Sequence, residues 1–583
     1  FKVALLKGRE NYICRRRLRH AVGKPNLLFK QEEWKIHLSE WASDALIGDL
    51  EDIPPELQAK IPKHVQLTSN SESCRRNDCY FSKSCFLNRS RLRAKNAKII
   101  LVNHHLFMAD LSLRTEDKGL LPEWQAVVLD EAHLLEDTAT SWFGQHIQIY
   151  EISNTLNQIY GLCNNNKIKE EDIIPSIIDY CNELHDKLDS LSELFQNVNG
   201  ESDLYYEEDG YQKRNSTIKE ILGEISAISA KLEDLLPKPK KEQAEGQDPG
   251  LEQAVLEQLG GEQADDDDNF TDVDDDERLD QFLLRLNDLK YTADVLADPS
   301  DPGYVYQVEN RGQGKYITLS ALPIEAGRIM GSKLKNTKKT VIFTSATLST
   351  GGEFDFFKYR FNLPAETPTL TLSSPFDYQK NTILYVPEHM PGVNDRSYSQ
   401  AFLEETVNLL KLSKGRALIL FTSISRMKEV AAEIQSLLPW TVLMQSQKPK
   451  NDLLDLFKMD INSVLLATLS FWQGIDVPGE SLSVVIIDRL PFTRPNQPLF
   501  KGRCRMVRER GLNDFMDYSI PEMTLTLRQG LGRLLRSNTD RGLLAIFDNR
   551  VTKSRYGSII LKSLPPSPLI KDSSKIKKFL KGL

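Results

Sequence analysis

The apolar run Ala126-Val127-Val128-Leu129 ends in Asp130-Glu131-Ala132-His133, and this junction constrains the fold more than any other segment. An uninterrupted hydrophobic run reads as a strand buried on both faces, as in a parallel sheet covered by helices. In open α/β sheets, ligands gather beyond the carboxyl ends of the strands. Two adjacent carboxylates placed there can divide the work of nucleoside triphosphate hydrolysis, with Asp130 holding Mg²⁺ and Glu131 orienting and deprotonating the attacking water. A helix N-cap with a charged first turn has the same appearance. Four residues alone leave both readings open.

Two further motifs narrow the choice. Thr344-Ser345-Ala346-Thr347-Leu348 follows a second apolar strand, Val341-Ile342-Phe343, and far downstream lies Gln529-Gly530-Leu531-Gly532-Arg533-Leu534-Leu535-Arg536. If that last segment is helical, spacings of three and four place Gln529, Arg533 and Arg536 on nearly one face. Arginines delivered from a second lobe can neutralise charge developing on a γ-phosphate, an effect worth ~10³–10⁵ in rate where it operates. Either arginine alone reads as a solvated basic face. The ordered set of three motifs is far more specific than any member.

Length allows roughly three or four domains, and 40% hydrophobic with 27% charged residues is ordinary for a globular chain. No apolar stretch reaches the length of a membrane span and no signal peptide is present, so no membrane association is expected. The chain opens on Phe1 and runs directly into Val3-Ala4-Leu5-Leu6, which reads as a sequence whose upstream part is missing. A formal charge of −8 argues against nucleic acid until it is localised. Residues 262–280 hold eleven acids against Arg278 alone, so the rest of the chain is slightly basic. That run is expected to be a solvated loop or a disordered segment. Positive charge clusters at Arg15, Arg16, Arg17 and Arg19, and again from Arg75 to Lys98, where eight bases meet one acid. Patches of this kind bind phosphate backbones or are simply solvated.

Their overlap with cysteines is informative. Cys14 precedes the first patch, and Cys74, Cys79 and Cys85 sit in the second with C-x4-C-x5-C spacing. Grouped cysteines in an intracellular protein point to a metal rather than to disulfides. Spacing leaves zinc, an iron–sulfur cluster and no metal all open. Cys163, Cys181 and Cys504 read as ordinary thiols.

About two hundred residues separate the acidic motif from Thr344, too many for a loop. Helical periodicity runs through Ile218, Ile221, Leu222, Ile225, Ile228, Leu232 and Leu235, and through Leu279, Phe282, Leu283, Leu286 and Leu289. A linker at 237–276 lies between them, and a hairpin of Tyr304 to Val308 and Tyr316 to Leu319, around Gly312 and Gly314, brings the chain back. This stretch reads as an inserted, mainly helical domain. From Ser374 onward, strands at Ala417 to Phe421, Thr441 to Met444, Ser463 to Ala467, Ser483 to Ile487 and Leu543 to Phe547 alternate with helices such as Ile424 to Leu438, predicting a doubly wound parallel sheet. Phe421-Thr422-Ser423 and Trp472-Gln473-Gly474-Ile475-Asp476 fall just past strand ends, with Trp472 read as a packing residue.

Taken together these residues resemble the DinG/XPD branch of superfamily 2 helicases, and among them the bacterial YoaA-type helicases. The carriers are Leu5 to Cys14, the cysteine triplet, Val102-Asn103-His104-His105-Leu106, the motifs at Asp130 and Thr344, and Ser374-Pro375-Phe376-Asp377-Tyr378. They continue through residues 472–476, the segment from Gln529 to Arg536, and Asp548-Asn549-Arg550. The resemblance runs nearly end to end. It implies an α/β fold of two RecA-like lobes, with an iron–sulfur domain and a helical arch domain both inserted in the first. The implied segments are 1–96 for the lobe-one leader and cluster domain, 97–145 and 326–374 for lobe one, 146–325 for the arch, and 375–583 for lobe two.

The resemblance also implies a 4Fe–4S cluster on Cys14, Cys74, Cys79 and Cys85, ATP as substrate, and Mg²⁺ on Asp130. Glu131, Asp130, Arg533, Arg536 and Gln529 would be catalytic, and Asp130, His133, Gly474, Asp476 and Gly532 would contact nucleotide. Thr344, Ser345 and Thr347 would link lobe closure to the DNA path. It implies a monomer in the bacterial cytoplasm, at the nucleoid, moving 5′→3′ on single-stranded and forked DNA with replication and repair proteins as partners. Asn103 and His104 would lie near DNA; on a strand, His104 and His105 would face opposite ways and chelate no common metal. Two departures stand out. A phosphate-cradling G-x4-G-K-S/T loop is missing, Gly327 to Lys333 being a near miss that reads as helix surface, so the motor of this chain is expected to be inactive. Gln473 stands where relatives often carry Glu. The alternatives are an ATP-independent fork-binding protein and an RNA helicase.

Overall fold

The structure, a computed structural model, describes residues 1–23, 33–62, 65–69, 74, 79–114, 119–164, 168, 171–206, 210–237, 273–311, 316–350, 352–468, 471, 477, 479–532, 534–535, 537 and 540–580. They fall into two compact units. One comprises residues 1–125, 137–326 and 337–339; the other comprises 126–136, 327–336 and 340–583.

The second unit is built on a seven-stranded, wholly parallel sheet. Its order is Val442–Met444, Val464–Thr468, Ala417–Phe421, Val484–Ile487, Gly542–Ile546, Thr382–Tyr385, Leu569–Ile570. Its central strands are buried at every position, because successive side chains feed two cores, one on each face. Leu418, Leu420, Val485, Ile487, Leu544 and Ile546 pack into one core with helices Lys450–Met459 and Ile520–Leu531. Ala417, Ile419, Phe421, Val484, Ile486, Leu543 and Ala545 pack into the other with helices Tyr398–Ser413 and Ile424–Leu437. The doubly wound sheet predicted after Ser374 is therefore present, the five expected strands ending within one residue of their predicted bounds; Thr382–Tyr385 and Leu569–Ile570 are not among the expected strands.

Ala126–Leu129 pairs in parallel with Thr340–Phe343 in this same unit, but among the described residues only Leu129 of that run is buried and Val128 is open, so the expected burial on both faces is not found. In the first unit, Val3–Leu5 pairs in parallel with Ile99–Leu101. The stretch from Gly327 to Lys333 belongs to the helix Ala326–Asn336. There the Gly331 Cα faces the Phe361 carbonyl so closely that a Cβ would collide with its oxygen. That glycine serves packing, not phosphate binding.

In the first unit, helices Ile149–Asn164, Ile174–Phe195, Gln212–Leu235 and Val273–Ala297 share one core with an antiparallel four-stranded sheet. Ile218, Leu222, Ile225 and Leu232 supply one buried stripe, and Phe282, Leu286, Leu289 and Ala293 another. The predicted hairpin is longer than expected, Tyr304–Arg311 against Tyr316–Pro323, with Arg311 opposite Tyr316; Gly312 and Gly314 lie outside the described residues. Two expectations need correction. The acidic run is not loop to its end, because the helix starts at Val273 and runs through 274–280. Residues 262–272 lie outside the described residues. His104 and His105 are not on a strand: they open the helix His104–Leu113, whose N-cap Asn103 accepts the Leu106 N–H at 2.8 Å.

Candidate active site

Glu131 takes a left-handed backbone conformation, φ 47° and ψ 45°, which a non-glycine residue adopts only where its surroundings hold it there. Two backbone bonds do so: Thr344 N–H donates to the Leu129 carbonyl at 2.9 Å, and Ala132 N–H to the Thr344 carbonyl at 3.0 Å. The turn leaves Asp130 and Glu131 exposed beyond the strand end, where the sequence placed them. Thr344 Oγ1 donates to Asp130 at 3.0 Å, and Ser345 Oγ donates to Glu131 Oε2 at 3.0 Å.

Ser345 is the junction of this network. Its oxygen also meets His133 Nδ1 at 2.8 Å and the Thr347 backbone N–H at 3.1 Å. A hydroxyl has one hydrogen and two lone pairs. Spending the hydrogen on Glu131 makes the other two partners donors, so the geometry assigns the proton to His133 Nδ1. Thr347, 3% exposed, accepts from Gln529 Nε2 at 3.4 Å. Residues separated by up to four hundred positions thus converge: Asp130, Glu131, His133, Thr344, Ser345, Thr347 and Gln529.

The remaining predicted site residues divide. Gly532 caps the helix Ile520–Leu531, whose last turn carries Gln529. The helix therefore ends before Leu534 and Leu535, which are buried and not helical, so the condition of a helix running on to Arg536 is not met. The cap and the pull of two leucines into the core interrupt it. Arg533, Arg536, Gly474 and Asp476 lie outside the described residues.

Sequence reasoning missed a buried ionic junction beside the site. Glu136 forms an ion pair with Arg360 and lies 3.9 Å from Arg503 Nη2, with side-chain exposures of 5%, 10% and 8%. Arg360 and Arg503 carry no motif; only folding makes them neighbours of Glu136, three residues past His133. A second cluster closes the sheet at adjacent strand ends. Asp488 is fully buried and faces Arg426 and Arg489 at 3.7 Å each. Asp548, also fully buried, binds Arg550 through both oxygens at 2.6–3.1 Å.

In the first unit, Cys14, Cys74, Cys79 and Cys85 line one cavity together with Arg15 and Arg16. Cys14 is the N-cap of helix Arg15–Val22 and Cys85 that of helix Phe86–Lys95, positions that favour a thiolate. Burial pushes the Cys79 thiol up, reinforced by nearby Cys14 and Cys85. Four sulfurs around one cavity, two helix N-termini and flanking arginines suit an anionic sulfur-ligated centre. Among the described residues no three His, Cys, Asp or Glu side chains stand in range of a common metal ion.

The chain is similar to known proteins over nearly its whole length. Residues 406–567 match the helicase C-terminal domain family. The chain is 32% identical over 586 residues to the ATP-dependent DNA helicase YoaA of Haemophilus influenzae, covering 100% of this chain and 84% of that protein. It is 31% identical to YoaA of Escherichia coli, covering 99% and 84%. A solved XPD helicase shares the fold with a TM-score of 0.51 at 10% identity, covering 98% of this chain and 86% of that one. With its acidic motif, Thr-Ser-Ala-Thr segment and Gln529 gathered beyond the ends of one parallel strand pair, the chain belongs to the family of the YoaA ATP-dependent DNA helicases.

Proposed function

We propose that this protein is an ATP-dependent DNA helicase that moves 5′→3′ along single-stranded DNA and opens forked duplexes in replication or repair, in the bacterial cytoplasm. The observation that carries this reading is the Glu131–Ser345–His133 and Thr347–Gln529 network. It ties a carboxylate suited to activating water to the segment from which Arg533 and Arg536 continue.

Asp130 would hold Mg²⁺ on the phosphates, and Glu131 would take the proton of the attacking water. Ser345 orients Glu131 through its hydroxyl, and His133, protonated on Nδ1, keeps that hydroxyl turned toward the carboxylate. Gln529 reads the same network through Thr347, so a change at the carboxylates is felt in the helix Ile520–Leu531. Arg533 and Arg536 would neutralise charge on the γ-phosphate, with Gly474, Asp476 and Gly532 near the nucleotide. Cys14, Cys74, Cys79 and Cys85 would hold a 4Fe–4S cluster, whose chemistry is a rigid sulfur-ligated cross-link capable of one-electron change.

The test uses the protein expressed from its complete reading frame, with Glu131→Gln as the variant. Loss of DNA-stimulated ATP turnover and of fork opening, with single-strand binding retained, is expected. Turnover equal to that of the parent protein would remove Glu131 from its role. Opening of RNA forks in preference to DNA forks would replace the substrate assignment.

A further inference from the structure

Asp548-Asn549-Arg550 is a motif that the nucleotide site does not use. It follows the strand Gly542–Ile546, beside the strand Val484–Ile487 that leads to Phe492. Asp548 fixes the Arg550 guanidinium through Nε and Nη2 and lays it over the Phe492 ring at 5.2 Å from the centroid. The arginine side chain still keeps 37% of its surface exposed.

Phe492 in turn stacks on Phe515, with centroids 5.9 Å apart and planes 16° from parallel. Tyr556 meets both rings edge-on, at 6.3 Å and 5.4 Å. Phe492 and Tyr556 are anchored against the core of the sheet, but Phe515 is 41% exposed, with Leu512 and Met516 beside it equally open. Phe515 sits in a π-helical turn, Asp514–Ser519. Such turns cost backbone hydrogen bonding and recur at functional sites. The charge around the platform is mixed: Asp514 is paired with Arg508 at 3.0 Å, exposed Asp517 accepts the Asn513 N–H at 2.8 Å, and exposed Arg494 and Arg555 follow Phe492 and Arg550 closely in sequence.

We propose that Phe515, backed by Phe492 and Tyr556, stacks an unpaired nucleobase of single-stranded DNA while Arg550 contacts the adjoining phosphate. Aromatic faces accept any base, and a guanidinium held flat by a carboxylate loses little entropy on meeting a phosphate. The exposed aromatic patch is thereby explained by one occupant, whose phosphate complements the charge of Arg550. The platform also lies at the start of the helix pair of segments Asp514–Ser519 and Ile520–Leu531, whose far end carries Gln529. The proposal rests on the single-strand reading above and deepens it to a defined base-binding position.

The test is equilibrium binding of oligo-dT carrying 2-aminopurine, at one fixed salt concentration, to the protein from its complete reading frame. The parent protein should bind and quench the 2-aminopurine. Phe515→Ala, a change at an exposed ring, should weaken binding roughly tenfold and abolish the quench, while Phe515→Trp should restore both. Arg550→Lys, which keeps the charge facing Asp548, should weaken binding severalfold. Unchanged affinity and quench in Phe515→Ala would overturn the proposal and leave the patch as a protein contact. Failure of the parent protein to bind any single strand would instead overturn the helicase reading itself.

Discussion

Replacing Ser345 with alanine isolates the chemistry of the site from its architecture. The Ser345 hydroxyl gives its only hydrogen to Glu131 and accepts from His133 and from the Thr347 N–H. A hydrogen bond to a charged group contributes about 1.5–3 kcal/mol net. The Glu131 side chain is 49% exposed, so water recovers part of that on substitution, leaving about 1–2 kcal/mol of lost orientation. If that orientation matters only when water is being activated, the loss appears in kcat, as a decrease of roughly 5- to 30-fold. The assay is steady-state ATP turnover with saturating single-stranded DNA, with kcat and KM resolved and thermal unfolding as a control. A kcat within about twofold of the parent, or a loss confined to KM, would refute the role given to Ser345.

Three further outcomes follow from the same structure. Glu136→Ala leaves the nearly buried guanidinium groups of Arg360 and Arg503 without their carboxylate, and urea denaturation should report a loss of about 3–5 kcal/mol; a loss below about 1 kcal/mol would mean that water already serves both arginines. Burial holds the Asp488 carboxyl up at about 6 against an ordinary 3.8, a rise that Arg426 and Arg489 only partly offset and that Asp548 adds to. The native state therefore binds this proton more tightly than the unfolded chain does. Its contribution to stability is fully present below the ordinary value and is lost as pH rises through about 6. Asp488→Asn should flatten the urea midpoint across that window, and an identical pH profile would dismiss the assignment. Anaerobic purification should yield stoichiometric iron and acid-labile sulfide that Cys79→Ser removes, whereas stoichiometric zinc without iron would replace the cluster.

Periodicity made much of this molecule legible. The strand Ala417–Phe421 could be read residue for residue because a strand buried on both faces admits no polar interruption. The stripes at Ile218 to Leu232 and Phe282 to Leu289 mark helices for the equivalent reason. Reading failed where the backbone answers to something other than pattern. His104 and His105 follow a β-branched stretch, yet Asn103 caps a helix there. The helix carrying Gln529 ends in a cap at Gly532, a stop that side-chain spacing does not announce.

By itself the sequence determined which residues lie at strand ends and which chemistry they can perform, because strand pattern and carboxylate or guanidinium identity are local properties. Only the tertiary structure decided which of them meet. Ser345 finds Glu131 across 214 positions, Arg503 approaches Glu136, and Phe515 stacks on Phe492. Such contacts depend on strand order and on how each helix lies against the sheet. Those features are fixed by packing of the whole core and leave no trace in any short stretch of chain.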